Sequence, residues 1–365
     1  MPLEIISYTA EWSPAVRAFN ARLIAGGLDD DLKFPEEPRS EYSTDPAEPL
    51  HQEFFLAVDE GAVRGGYFLT HEPWTFQGQP CRVSNYRLPL SEGLINRAYS
   101  SVGPAVIRHS LKRSPYVYCL GMGNYDRPFP RTLAAMKWPM FTSPFFFRAV
   151  NPARVLRNLR SVRQNPQKRL AFDIAALTGA ATIGLGLLQS LKTQPAPRLK
   201  ADLAPTFGPW ADETFSQLKT VYPLLAVRDS RILAIRYPES DARFLRLRLP
   251  SGWAVLLDTQ MENHRHFGDL RVGTIVDIFG PPADARSMVQ AATRFLADRG
   301  VDIIISNQTH QAWIEAFAQS GYLSGPSNRI FAGSPKLIAE KISPFETAQK
   351  TLHLTRGDAA GPIHL

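Results

Sequence analysis

The sequence predicts an α/β (α+β) protein built from two similar halves, each a mixed, mostly antiparallel sheet flanked by helices. The same order of patterns, strand-strand-strand-helix-strand-helix-strand, occurs twice along the chain. Such an order is typical of a sheet covered by helices. A basic segment separates the two occurrences, and 365 residues are enough for two hydrophobic cores.

The first half begins with segments in which apolar and polar residues alternate. They predict two strands joined at Glu60-Gly61, in EFFLAVDEGAVRGGYFLTHEPWTFQG, and a third strand in CRVSNYRLPL. Helical and extended patterns then follow in turn. They predict helix, strand, helix and closing strand in SVGPAVIRHSLKR, YVYCLGM, PFPRTLAAMKW and SPFFFRAV.

The second half repeats this order. Two strands meet at Ser251-Gly252 in FLRLRLPSGWAVLLDTQ, and LRVGTIVDIFG predicts the third. The remaining helix, strand, helix and strand are predicted in DARSMVQAATRFLADRG, VDIIISN, QAWIEAFAQSG and NRIFA. We therefore predict a first domain at 1–150, a helical linker at 151–205, a second domain at 206–340 and a polar tail at 341–365.

Charge is concentrated in one segment of the chain. The net charge is +7, and residues 151–200 contain nine basic residues and one acid, or +8. The remainder has 32 basic and 33 acidic residues, or −1. A nucleic-acid-binding protein more often spreads its cations over a folded face, so we expect no nucleic acid partner. With only Cys81 and Cys119 and no secretory signal pattern, a cytoplasmic location is predicted.

Two segments carry a family resemblance. SNQTHQAWIEAFAQSGY (306–322) resembles the part of the GNAT acyltransferases in which Asn ends a strand and Gly-Phe or Gly-Tyr ends the next helix. GNYDRPFPRTLAAMKW (123–138) is a looser copy, with Lys137 in place of Gly. The chain thus resembles the acyl-CoA N-acyltransferase superfamily with its fold present twice, as in tandem GNAT and FemAB-like proteins. The resemblance covers roughly 1–150 and 206–335.

The resemblance implies a coenzyme A loop between the third strand and the first helix of the first half. Ser100-x-x-Gly103-x-Ala105 matches the last two positions of the family pattern Arg/Gln-x-x-Gly-x-Gly/Ala. Glycine lets the backbone approach phosphate, and a helix N-terminus attracts anions. However, Pro104 has no N–H to donate, and a serine such as Ser101 could simply cap the helix. The implied cofactor-binding residues are Leu88, Leu90, Arg97, Ser101, Val102, Gly103 and Ala105.

The corresponding loop of the second half, PPADARS, has two prolines and no glycine. Its missing N–H groups make a phosphate site there unfavourable. We therefore expect acetyl-CoA or another acyl-CoA to bind in the first half, as the co-substrate for transfer to a small-molecule amine.

Amine acylation needs a base for the acceptor and an acid for the leaving thiolate. The resemblance implies Glu92 as the base, Tyr125 as the acid, and Asn124 as a partner of the pantetheine amides. Each residue also has a simpler explanation: Glu92 as a turn residue, Tyr125 as a packing residue, and Asn124 as a helix cap. His109 is a further candidate base. The stretch ENHRHFGD is explained as a polar hairpin loop, so no metal is predicted.

The segment from Arg154 to Leu191 combines an arginine row with an apolar run at 174–191. A basic helix followed by an apolar one could lie on an anionic membrane surface, here the inner face of the membrane. Alternatively, it could form a helical bridge between the two domains.

The leading function is an acyl-CoA-dependent N-acyltransferase. The alternatives are a FemAB-like transferase of envelope or polysaccharide biosynthesis with another acyl carrier, and an inactive GNAT-fold scaffold at the membrane surface.

Overall fold

The chain divides into two compact units. The computed structural model of the protein describes residues 3–28, 32–158 and 180–359. Unit 1 contains Met1–Thr142 and Asn328–Ala348, and unit 2 contains Ser143–Ser327 and Gln349–Leu365.

The predicted helices and strands occur in the predicted order along the chain, together with further elements that were not predicted. The first segment of unit 1 contains β1 (Glu4–Ser7), α1 (Ser13–Ala25), β2 (His51–Asp59), β3 (Ala62–Phe76), β4 (Gln79–Ser91), α2 (Val102–Arg113), β5 (Val117–Leu120), α3 (Pro128–Ala135) and β6 (Met140–Thr142). The long segment of unit 2 contains β7 (Phe145–Ala149), α4 (Pro152–Asn158), α5 (Ala180–Lys192), β8 (Asp202–Ala204), α6 (Pro209–Leu218), β9 (Leu224–Ala226), α7 (Ser230–Arg236), β10 (Leu245–Leu249), β11 (Gly252–Gln260), β12 (Arg271–Phe279), α8 (Ala285–Asp298), β13 (Ile303–Asn307), α9 (Gln311–Gln319) and β14 (Leu323–Gly325). The second segment of unit 1 contains β15 (Ile330–Gly333), α10 (Pro335–Lys341) and α11 (Phe345–Ala348).

Both units contain a mixed sheet. In unit 1 the strands lie in the order β1-β2-β3-β4-β5-β15-β6, and in unit 2 in the order β14-β7-β13-β12-β11-β10-β8. One neighbouring pair in each order is parallel, β4 with β5 and β12 with β13, and the other neighbours are antiparallel. The predicted fold class, two mixed and mostly antiparallel sheets flanked by helices, is confirmed.

The two predicted closing strands lie in different sheets from those expected. The sequence assigns β7 to the first half, but β7 pairs with β13 and β14 in unit 2. The sequence assigns β15 to the second half, but β15 pairs with β5 and β6 in unit 1. The boundary predicted at residue 150 therefore differs from the observed one, because strand patterning specifies a buried face and not the neighbouring strand.

Helices cover both faces of each sheet. In unit 1, α1 packs on one face through Val16, Phe19 and Leu23, and α2 packs on the other through Val106 and Ile107. In unit 2, α8 and α9 lie on one face and α6 and α7 on the other. Each sheet therefore has a hydrophobic core on both of its faces.

The predicted linker and tail also differ from the structure. Strand β8 lies within 151–205 but pairs with β10 in unit 2. Residues 352–355 lie in the predicted polar tail but are buried. Both segments carry too short an apolar pattern for a sequence prediction of core structure.

The apolar run at 174–191 lies partly outside the described residues, and its described part belongs to α5. Among the described residues, no helix is both long enough and apolar enough to cross a bilayer.

Candidate functional site

The end of β4 separates from β5. The two strands pair at Ser84–Val117 and Asn85–Tyr118. Strand β4 continues to Ser91, but in the described residues it has no further pair with β5. The ladder between β3 and β4 shifts register at the same level, and Leu88 has a φ of +45°. This bulge turns the backbone of β4 at the point where the neighbouring strand diverges. The predicted cofactor residues Leu88 and Leu90 lie at and just after the bulge.

A compact loop connects β4 to α2. The side chain of Ser91 accepts a hydrogen bond from the Gly93 N–H at 3.1 Å, and Asn96 accepts one from the Ala98 N–H at 3.0 Å. A Cβ on Gly93 would lie 2.6 Å from the Tyr99 carbonyl oxygen, so only glycine permits this close approach. The loop therefore holds the start of α2 in a fixed position.

Glu92 fixes this loop in place. Its surroundings differ from those expected of the base that the family resemblance implied. Its carboxylate accepts hydrogen bonds from Arg22 of α1 at 3.0 and 3.2 Å and from Arg64 of β3 at 3.1 and 3.2 Å. Burial alone would raise the pKa of Glu92, but the two guanidinium groups outweigh burial and lower it. A carboxylate paired on both oxygens is a weak base. The geometry therefore favours a structural role for Glu92.

The N-terminus of α2 is open at Gly103. The N-cap residue Ser101 makes no side-chain hydrogen bond to the first turn, so simple capping by this serine is not observed. Apart from its chain neighbours and the backbone of its own helix, no atom of the described residues lies within 4 Å of the position that a Cβ on Gly103 would occupy. The first turn of a helix has N–H groups without intrahelical partners, here on Val102 and Gly103, whereas Pro104 has none. Such a helix start, called the mouth of α2 below, can attract an anion because of the helix dipole.

Glycine also brings α2 close to the bulged strand. A Cβ on Gly65 of β3 would lie 2.8 Å from both the Leu90 carbonyl oxygen and the Val102 side chain. The start of α2 thus packs directly beside the end of β4. Ala105 follows in the first turn, with its N–H bonded to the Ser101 carbonyl oxygen at 3.0 Å.

The basic side chains near the N-terminus of α2 differ in their exposure and in their ion pairs. Arg97 and Arg108 are exposed, and either can meet a phosphate. Arg113 is ion-paired with Glu53 instead. Burial opposes ionisation of Glu53, but hydrogen bonds from His71 and Arg113 lower its pKa to about 2. His109 accepts or donates a hydrogen bond with the Tyr67 hydroxyl at 2.7 Å and is half-buried.

Asn124 and Tyr125 lie just past the carboxyl end of β5. Gly121 and Gly123, with φ of +94° and +85°, turn the chain there. Both side chains are exposed, Tyr125 to 47%, and the Tyr125 hydroxyl accepts a hydrogen bond from Thr142 at 3.2 Å. Since β4 and β5 are parallel, Tyr125 lies at the same edge of the sheet as the end of β4. The cap of α3 is Arg127, so Asn124 does not cap this helix.

A buried polar cluster on the α1 face was not found by sequence reasoning. Glu72 of β3 accepts hydrogen bonds from the Tyr118 hydroxyl at 3.1 Å and the Trp74 indole at 3.3 Å. Tyr118 is the β5 partner of Asn85, so this carboxylate lies where β4 and β5 stop pairing. Two strands, β3 and β5, contribute to the cluster, and its residues are up to 46 positions apart in the chain. No local motif could have indicated it.

The corresponding helix start in unit 2 is covered. Met288 of α8 packs against Gly280, which ends the turn after β12. The Tyr222 hydroxyl donates a hydrogen bond to the Gly280 carbonyl oxygen at 2.6 Å and accepts one from the Trp313 indole at 3.0 Å. The N–H of Ala285, the first residue of α8, is bonded to the Pro282 carbonyl oxygen. This helix start therefore lacks the open mouth of α2.

Residues 353–356 fill the gap between β12 and β13. The His353 imidazole meets the Ile278 carbonyl oxygen at 3.1 Å, and Leu354 exchanges hydrogen bonds with Thr309 at 2.9 and 3.2 Å. Arg356 donates to Asn307 at 3.1 Å. Residues 353–356 thus occupy the place in unit 2 that corresponds to the opening beside β4 in unit 1.

An ion-pair network holds this C-terminal segment. Asp358 accepts hydrogen bonds from Arg228 at 2.5 Å and Arg236 at 2.9 Å, and Arg228 also lies 3.3 Å from Asp277. Burial raises the pKa of Asp277, whereas the two guanidinium groups outweigh burial at Asp358 and lower its pKa to about 2.

No cluster of three or more His, Cys, Asp or Glu side chains in the described part of the chain has the geometry of a metal site. His264 and Gly268 exchange backbone hydrogen bonds at 2.9 and 3.0 Å, which makes this stretch a tight loop.

Comparisons with solved structures identify similar folds. The chain is similar to Saccharomyces cerevisiae N-myristoyltransferase with bound myristoyl-CoA, with a TM-score of 0.51, 10% identity, and coverage of 91% of this chain and 83% of that one. It is similar to a GCN5-related N-acetyltransferase from Anabaena variabilis (0.50, 10% identity, 91% and 72% covered). It is also similar to a probable N-acyltransferase from Enterococcus faecalis (0.50, 8% identity, 93% and 75% covered).

No protein-family model matches the sequence, and no curated protein matches it. At 8–10% identity the structural likeness concerns the fold. The chain therefore has the fold of the GNAT N-acyltransferases, built here around two mixed sheets.

Proposed function

We propose that this protein is an acyl-CoA-dependent N-acyltransferase whose co-substrate binds in unit 1. The observation that carries the proposal is the open N-terminus of α2 at Gly103, directly beside the bulged end of β4. The proposal is supported by helix N-terminal amides, which can bind anions, next to the part of β4 that has no pair with β5 in the described residues. The structural likeness to acyl-CoA-dependent enzymes supports the same reading.

Bound acyl-CoA would supply an acyl group activated as a thioester. The backbone at Leu88 and Leu90 would hold the pantetheine arm, the N–H groups of Val102 and Gly103 would hold the diphosphate, and Arg97 would add positive charge. These residues belong to the cofactor-binding set that the family resemblance implies. The exposure of Ser101 and Arg97 supports the proposal.

The base is proposed to be Glu72 and not Glu92. Glu72 accepts hydrogen bonds from the Tyr118 phenol and the Trp74 indole, and the Arg87 guanidinium interacts with it electrostatically. The proposal is supported by the position of Glu72 beside Tyr118, at the level where β4 and β5 stop pairing. Glu72 would take the proton that an acceptor ammonium must lose before its nitrogen can attack. Tyr125 remains the proposed acid, because its exposed hydroxyl can donate a proton at the edge where β5 ends.

The acceptor is proposed to be a small-molecule amine, and the acyl group acetyl or longer. A cytoplasmic location is proposed as well, supported by the free thiols of Cys81 and Cys119.

The test is a transfer assay with the full chain. Acetyl-, medium-chain and long-chain acyl-CoA are each incubated with a panel of amines, with free thiol release and N-acylated product measured by absorbance and mass spectrometry. We expect amine-dependent thiol release matched by product in equal amount. An absence of acyl-CoA binding at millimolar concentration, or transfer from aminoacyl-tRNA in its place, would contradict the proposal and favour a FemAB-like donor.

A further inference from the structure

Helix α5 presents an exposed apolar face. Ile183, Leu187, Leu188 and Leu191 have exposed fractions of 71%, 58%, 44% and 76%. Their spacing of three, four and eight residues places them on one side of a helix. We call this set the apolar stripe. Large exposed apolar surfaces on a soluble fold mark sites of interaction.

The rotation of α5 about its axis is fixed by its opposite face. Gln189 is buried, and its side-chain amide exchanges two hydrogen bonds of 2.9 Å with the backbone of Ala149 in β7. Leu185 packs on the cluster that contains Val155 of α4. The stripe therefore points outward as a consequence of specific contacts within unit 2.

The surroundings of the stripe are basic. Residues 143–158 and 183–201 contain six basic residues and no Asp or Glu. Lys192 follows the stripe directly, and Lys192 and Arg198 are exposed. Arg154, on the helix packed against α5, has half of its side chain exposed although it pairs with Asp302. Lys200 also pairs with an acid, Asp202. Apolar residues flanked by an excess of cations match the chemistry of an anionic lipid surface.

We propose that the apolar stripe docks this protein on the surface of an anionic bilayer. Helix α5 would lie along the surface with the stripe inserted and the cations at the headgroups. The proposal does not depend on the acyltransferase activity.

Vesicle co-sedimentation of the full chain tests the proposal. Phosphatidylcholine vesicles are compared with vesicles of phosphatidylcholine and phosphatidylglycerol. We expect at least tenfold stronger partition to the anionic vesicles, weakened by 0.5 M NaCl because salt screens the headgroup charge. The variant L187E/L191E should lose this binding at least tenfold.

The matched control is L203E/V221E, which adds the same charge at two other exposed positions, 53% and 46% exposed, in unit 2. It should bind vesicles as the wild type does. Equal binding to neutral vesicles, or equal loss in both variants, would overturn the proposal. So would a wild-type dimer that L187E/L191E converts to a monomer without any vesicle binding. A large fall in Tm for L187E/L191E alone, again without vesicle binding, would show that the stripe packs within the chain.

Discussion

At the scale of single residues, two carboxylates of unit 1 have different surroundings. Glu92 is paired with Arg22 and Arg64, and its pKa is lowered by them in spite of burial. Glu72 accepts hydrogen bonds from Tyr118 and Trp74. We propose that Glu92 fixes a loop and that Glu72 exchanges a proton.

The isosteric variants E72Q and E92Q distinguish these roles. E72Q should lower kcat by about 10²–10⁴-fold and remove the acidic limb of the pH profile of kcat/KM, with acyl-CoA affinity unchanged. E92Q should lower the free energy of unfolding by about 1–3 kcal/mol, since two partly buried guanidinium groups lose their carboxylate. Its kcat per folded molecule should stay near that of the wild type.

Steady-state kinetics and urea unfolding of both variants give these values. The opposite result, a loss of kcat in E92Q with E72Q fully active, would return the catalytic role to Glu92.

The family resemblance implied Gly103, Leu88 and Leu90 as cofactor-binding residues, and their role stays a prediction. The sequence could not identify Glu72, whose environment depends on Tyr118 in another strand. Nor could it show the role of Glu92, because Arg22 lies 70 residues away and reaches Glu92 only in the folded unit.

At the scale of elements, α2 and α8 begin differently. Gly103 leaves the mouth of α2 open, whereas Met288 and Tyr222 cover the turn before α8. The two prolines before α8 predicted the lack of amide donors there. The filling of the neighbouring gap by residues 353–356 was not predictable, because a few apolar residues in a polar segment carry no periodic signal.

We expect the C-terminal segment to be a major source of stability for unit 2. The variant D358N removes the buried carboxylate that Arg228 and Arg236 share, while Arg228 keeps Asp277; this should cost about 3–5 kcal/mol. The control D202N removes only the surface ion pair with Lys200, which should cost about 0–1 kcal/mol. Chemical denaturation followed by circular dichroism measures both. Equal stability of the two variants would contradict the structural role of Asp358.

At the scale of the whole molecule, the sequence correctly predicted two repeated sheets but not the destinations of β7 and β15. Each strand has the alternation of a buried strand and would satisfy either sheet. The observed choice depends on long-range packing, such as Phe146 against Phe317 in unit 2 and Phe331 against Phe141 in unit 1. Such contacts between distant residues leave no periodic trace.

The helices α2 and α8 begin at corresponding places in the two units, and of these two helix starts only that of α2 is open. One acyl-CoA site per chain is therefore expected, in unit 1. The variant G103E tests this site, because its carboxylate would face the diphosphate while stabilising the helix N-terminus. The open space at Gly103 accommodates a side chain, and G103A is the matched control that keeps the amide donors.

The most direct measurement is an isothermal calorimetric titration of acyl-CoA into the wild type, G103E and G103A, with Tm recorded for each protein. We expect one site per chain in the wild type, affinity within a few-fold of it in G103A, and an affinity about 100-fold lower or more in G103E at unchanged Tm. Two sites per chain, or the same affinity in G103E as in the wild type, would contradict the central claim that the mouth of α2 binds the diphosphate.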